Sequence, residues 1–297
     1  MTAFMYLFFM CQGTDLPPYF VSLIQERTLF ARDEPVIIRI RLGNQDDKDL
    51  KPKKFPDLIG GLEVTLDGAK LEIDPSVDHK GMFRNAISLA INAHRDFRVN
   101  LAKYFPDLRK GGEFEITYQD TFNQVKGHRF RVAPFDLPDL NQTYVVSTSM
   151  GDFSIKLNEL EAPNHARNFA ILAQLGFYKD MEVHRVVRKR VIQMGDPNGN
   201  GTGGSGFPLS LEVSPFLKHK KYAVGMARAE EPDSAQSQFY VCLQDLPELD
   251  QHYTVFGRVV TGEDVVEAIG NVGTSGPEGN PPDKPFEAIR LDHVRAE

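Results

Sequence analysis

The chain has 297 residues, 41% hydrophobic and 25% charged, so it is long enough to bury a core without disulfide staples. Its 34 Lys and Arg against 41 Asp and Glu give a formal charge of −7. That sign argues against a nucleic-acid binder, which needs a basic surface to displace phosphate counterions. Tryptophan is absent, against 21 Phe and 9 Tyr.

The charge is uneven. Residues 1–138 hold 19 basic and 19 acidic side chains, and residues 139–297 hold 15 and 22. All of the −7 therefore sits in the second half, which predicts two domains with different surfaces. Two cysteines are too few for a disulfide framework or a metal cage. Cys242, in the apolar run Phe239-Tyr240-Val241-Cys242-Leu243, reads as a buried small hydrophobe.

Residues 3–11 are continuously apolar. They are too short for a transmembrane span, which needs about 20 residues. A basic leader and a small-residue cleavage site are missing. The polar stretch Gln12-Gly13-Thr14-Asp15 nonetheless resembles the start of a mature bacterial lipoprotein, although the residues before Cys11 fit a lipidation box poorly. Residues 1–15 are thus read either as a signal segment with a lipid anchor on Cys11 or as a short apolar arm. The first reading places the protein in the cell envelope, and the second in the cytoplasm.

Residues 16–133 read as strands and turns. Phe20–Phe30 and Val36–Leu42 are apolar-rich, and Ile38, Ile40 and Leu42 share one face. Leu62–Leu66, Asp67-Gly68 and Leu71–Ile73 carry a hairpin signal. Gly111–Tyr118 and Phe130–Val132 alternate as well. Short strands split by turns predict an antiparallel β-sandwich. "EPVIIRIRLGN" and "DLRKGGEFEITY" resemble immunoglobulin-like sandwich domains of bacterial envelope proteins. Nothing in this half suggests chemistry, so a binding or spacer role is expected. Residues 134–141, with Pro134 and Pro138, read as a stiff linker.

The second half, 142–297, opens with a hairpin, Tyr144–Ser149 and Phe153–Leu157 about a Met150-Gly151-Asp152 turn. A helix follows, begun by Pro163 and stopped by Gly176. Strands are expected at Glu182–Val187, Val191–Met194, Tyr222–Met226, Phe239–Leu243, Thr254–Val260 and Phe286–Val294. A second helix is expected at Gly262–Ile269, and a Gly- and Pro-rich loop at 270–285. Gly199–Gly204 fits the spacing G-x-G-x-x-G, but no strand-to-helix setting surrounds it, so it reads as a tight glycine loop and not a dinucleotide site.

Three blocks in this half, "VHRVVRKRVIQMGDPNGNGTGG" (183–204), "YAVGMARAEEPDSAQSQFYVCL" (222–243) and "PELDQHYTVFGRVVTGEDVVEAI" (247–269), resemble the signature blocks of the cyclophilins. Those are peptidyl-prolyl cis-trans isomerases. The helix "APNHARNFAILAQLGFY" (162–178) agrees in place. The resemblance implies a mainly β architecture: an eight-stranded closed antiparallel barrel with two capping helices, preceded here by the sandwich. It also implies rotation about Xaa-Pro bonds of protein clients in protein folding. No bond is made or broken in that reaction, so no nucleophile, metal or cofactor is implied.

By the same resemblance the catalytic residues are Arg185, whose guanidinium stabilises the twisted amide, and Gln193. Substrate-binding residues are Val191, Ala227, Gln238, Tyr240, Leu249 and Tyr253. His184 reads as structural. The sequence departs from the family at Arg190, where a pocket-wall Phe is usual, and at Arg228 and Glu248; these would modify the pocket. Glu248 stands where some members carry Trp, which gives the missing tryptophan an address. The alternative function is a module that binds proline segments with weak catalysis or none. Its partners, like the enzyme's, would be proline-containing peptides or proteins.

Overall fold

The computed structural model describes residues 17–79 and 87–297. Cys11 and the rest of the candidate lipidation segment lie outside the described residues. No described helix is long and apolar enough to cross a membrane.

The described residues of the first half form eight strands: β1 (Tyr19–Ile24), β2 (Leu29–Phe30), β3 (Ile37–Asn44), β4 (Leu62–Leu66), β5 (Ala69–Lys70), β6 (His94–Asn100), β7 (Gly112–Gln119) and β8 (Gln124–Val132). They form two sheets, ordered β1-β3-β6 and β2-β8-β7-β4-β5. Alternation fills one core between them: Val21, Ile38, Ile40 and Leu42 from one sheet meet Val64, Phe114, Ile116 and Phe130 from the other. A hairpin turns at Asp67-Gly68, both residues having positive φ, but its return strand is Ala69–Lys70 and not the expected Leu71–Ile73. The all-antiparallel expectation needs correction, because β2 runs parallel to β8.

The second half contributes β9 (Thr143–Thr148), β10 (Gly151–Leu157), helix α1 (Pro163–Gln174), β11 (Met181–Glu182), β12 (Arg185–Val187), β13 (Val191–Met194), β14 (Ala223–Met226), β15 (Phe239–Cys242), β16 (Val255–Thr261), helix α2 (Glu263–Gly270) and β17 (Arg290–Ala296). Pro163 opens α1, and the Glu212 carboxylate accepts from the Asn164 and His165 amides at its positive end. Phe169 of α1 meets Tyr144, Tyr178, Phe239 and Phe256 in an aromatic cluster.

The sheet order is β11-β17-β9-β10-β16-β14-β15-β13-β12, nine strands where eight were expected. Its two edge strands are separated in sequence by only Val183 and His184. Among the described residues no ladder joins them, so the closed barrel appears as a curled sheet. The Val183 amide continues the β11–β17 pairing by donating to the Ile289 carbonyl, and the Val186 amide of β12 donates to the Asp283 carbonyl in the loop before β17.

The halves meet through residues 26–34. Leu29, Ala31 and Ala133 belong to the core of the second half. Arg27 and Glu34 form a buried two-bond ion pair at 2.7 and 3.1 Å. Leu209 bridges Arg27 on one side and Ala235 on the other, and the Thr28 hydroxyl donates to the Pro208 carbonyl. The segment expected as a linker folds back on this contact: the Arg32 amide donates to the Phe135 carbonyl, and the Leu137 amide to Asp33.

Candidate active site

The register places the expected residues in rows. Arg185 opposes Gln193, Gln193 opposes Tyr240, Tyr240 opposes Gly225, and Gly225 opposes Val255. Side chains opposed across strands project from one face. The other face of the same strands, with Ile192, Met194, Val224, Phe239 and Val241, enters the main core. Period-two alternation thus divides each strand between core and groove.

On the groove side Ala223, Tyr240, Cys242, Leu246 and Val255 form a small separate apolar cluster. Val191, Ala227, Leu249 and Tyr253 pack against it. The structure therefore gathers the expected apolar substrate residues around one cluster beside Arg185 and Gln193. Gly225 is required there: a Cβ at that position would sit 2.3 Å from Tyr240 Cζ. The buried Cys242 thiol is pushed up to about 12 by desolvation, as suits a small core hydrophobe.

A chain of amides holds the polar edge. Gln193 Nε2 donates to Gln238 Oε1 at 2.8 Å, and Gln238 Nε2 donates to the carbonyls of Gly201 and Gly203. Gln238 is buried, and both ends of its amide are engaged. The glycine loop is organised by buried Asp196, whose carboxylate accepts from the amides of Asn198, Asn200 and Gly201. No helix follows this loop before β14, so it lacks the setting of a dinucleotide site. A cavity of about 180 Å³ lies between the loop and Gln193, Ala227, Arg228 and Gln238.

Beneath the apolar cluster, neutral His219 donates from Nδ1 to Asp250 and accepts the Tyr240 hydroxyl at Nε2, each at 2.9 Å. Burial lowers the His219 pKa against the pull of Asp250, and burial raises that of Tyr240, so both stay uncharged near neutrality. Tyr253 meets Tyr240 edge-on, and the Arg228 guanidinium lies 4.7 Å over its ring. Arg228 also donates to the carbonyls of His252, Ala229 and Glu230, so it ties down the wall that carries Tyr253.

Arg190 turns to the rim and pairs with Glu248 at 2.6 Å. The two departures from the family are thus joined, with a half-exposed ion pair in place of two aromatic rings. Glu248 is held below the usual carboxylate range, first by its own amide and then by Arg190. His184 is buried with its pKa lowered by desolvation, which keeps it neutral. Arg185 is half exposed, and its Nη2 lies 3.2 Å from Asp283.

Asp196, the His219–Asp250 pair and Asp283 were missed in the sequence. Asp196 had a local signal, a carboxylate followed by glycines and amide donors at short spacing. Asp283 had none, lying 98 residues from its partner. Among the described residues no group of three or more His, Cys, Asp or Glu is placed to hold a metal.

A family model described as cyclophilin type peptidyl-prolyl cis-trans isomerase/CLD matches residues 143–296. The chain is 38% identical over 150 residues to peptidyl-prolyl cis-trans isomerase-like 1 of Aspergillus fumigatus, covering 50% of this chain and 90% of that protein. It is 36% identical over 160 residues to mouse peptidylprolyl isomerase domain and WD repeat-containing protein 1, covering 52% of this chain and 24% of that one. A crystal structure of a Cryptosporidium parvum cyclophilin type isomerase, solved in the presence of the dipeptide Ala-Pro, covers 52% of this chain and 99% of its own, at 27% identity and a TM-score of 0.49. These relatives are eukaryotic and lend no support to a bacterial setting. With the match spanning more than half its length, the chain belongs to the cyclophilin-type peptidyl-prolyl cis-trans isomerase family.

Proposed function

We propose that the groove rotates Xaa-Pro bonds of protein clients by electrostatic stabilisation of the twisted amide. Amide resonance sets a barrier of about 18–20 kcal/mol. As the bond twists, the amide nitrogen becomes pyramidal and regains a lone pair. A guanidinium donates to that nitrogen and stays charged at every working pH. Val191, Tyr240, Leu249 and Tyr253 seat the proline ring, and Ala227 leaves room for the backbone. Gln193, with its nitrogen held by Gln238, offers its carbonyl oxygen to a substrate amide.

The observation that carries this reading is the shared row of Arg185, Gln193 and Tyr240 beside a buried apolar cluster. A donor fixed before the reaction stabilises the transition state without reorganising during it. Residues 16–133 and 142–297 are read as two domains with 134–141 as a strap, which their separate cores support.

Turnover of a proline-containing peptide tests the proposal. Arg185→Ala is expected to lower kcat/KM by a factor on the order of 10²–10³. The rim pair Arg190–Glu248 favours a second reading, a binder of proline segments with little catalysis. Binding by wild type without exchange between cis and trans forms, followed by NMR, would support that reading and sink the first.

A further inference from the structure

The loop at 270–285 carries no assigned role, yet it delivers one acid to the site. Asp283 has a left-handed backbone, with φ 56°, and is fixed on both sides. Its amide donates to the Gly276 carbonyl at 2.8 Å, and its carbonyl accepts from the Val186 amide at 2.9 Å. The next amide, Lys284, donates to the Ser275 hydroxyl, and that hydroxyl donates to the Pro281 carbonyl. Asp283 is therefore anchored to β12, one residue from Arg185.

The burial of the two partners is unequal. The Asp283 side chain is 10% exposed and that of Arg185 is 43% exposed. The acid is the fixed member and the guanidinium the movable one. An arginine on an edge strand has many rotamers, and a half-exposed one samples them freely. Among the described residues, Asp283 is the carboxylate within ion-pair range of Arg185, and it engages a single nitrogen, Nη2. The other N–H groups of the fork remain for the substrate.

We propose that Asp283 is a positioning residue, holding the Arg185 guanidinium in the orientation that meets the twisted Xaa-Pro amide. This rests on the reading of Arg185 as the donor. A carboxylate beside a catalytic cation weakens its field, so its benefit must come from orientation, and misplacement of a reacting group is costly. The effect belongs to the rotation step more than to peptide binding.

The test uses the full chain, one Xaa-Pro peptide, and three variants: Asp283→Asn, Arg185→Ala and the double. Asparagine tolerates left-handed φ, so Asp283→Asn keeps the loop while removing the charge. Asp283→Asn is expected to lower kcat roughly tenfold with KM within about twofold. The double variant is expected to be no slower than Arg185→Ala alone, because the acid acts only through that arginine. The Arg185 Nη–H protons, one set of which faces Asp283, should exchange faster in Asp283→Asn than in wild type. An unchanged or raised kcat in Asp283→Asn, or a further loss in the double variant, overturns the proposal. Wild-type turnover in Arg185→Ala would instead overturn the reading of Arg185 itself, and this proposal with it.

Discussion

His184 stands beside the proposed donor, and its burial has a measurable consequence. In the unfolded chain a histidine takes up a proton as pH falls through about 6.5. Folded, His184 resists, because desolvation lowers its pKa. In the window just below 6.5 the unfolded state binds more protons, so stability falls as pH falls. His219 adds the same sign. Asp250 and Asp96 have lowered pKa values, and their stabilisation is lost only at more acidic pH, below the ordinary carboxylate range. Thermal unfolding between about pH 7.5 and 5.5 should show this loss in wild type and a shallower slope in His184→Gln. Equal slopes would refute the assignment. At this scale the sequence placed Arg185, Gln193 and Tyr240 in blocks that the structure brings into one cross-strand row. It was silent on Asp283 and on the His219–Asp250 support, because those partners come from distant segments.

Strands show why the groove exists. The expected strand Glu182–Val187 is broken in the structure, because Glu182 pairs with β17 and Arg185 with β13. A change of partner leaves no mark on local alternation. Strand β6 was missed because His94–Asn100 is rich in charge; Arg39 and Arg41 of β3 pair there with Asp96 across the ladder. Val191–Met194, by contrast, was bounded correctly, its alternation matching a core face and a groove face. The cross-strand row also makes Gly225 specific. Gly225→Ala must displace the Tyr240 ring, costing about 1–3 kcal/mol of stability. Urea unfolding should show that cost, and the peptide KM should rise more than kcat falls. An unchanged KM would show that the Tyr240 ring does not shape the proline seat.

Among the described residues the molecule has two main cores but not two independent bodies. The uneven charge and the proline-bearing linker suggested two parts, yet no composition argument shows that one part lends residues to the core of the other. Leu29 lies in a strand of the first half and is fully buried in the core of the second. Leu29→Ala is therefore expected to cost about 2–5 kcal/mol. The loss should register in amides of α1 and the curled sheet when unfolding is followed residue by residue. Loss confined to amides of residues 17–132 would contradict the shared core.

Leu209 gives this union a direction. The segment from Asp196 to Ser210 is gripped at one end by Gln238, inside the groove, and at the other by Glu26, Arg27 and Thr28. A chain held at both ends has little room to drift independently of either. In the terms of inheritance, the halves are not interchangeable parts. Any replacement for the first half would have to present the same backbone edge at residues 26–28, or the wall of the groove would lose a support that its own signature blocks do not contain.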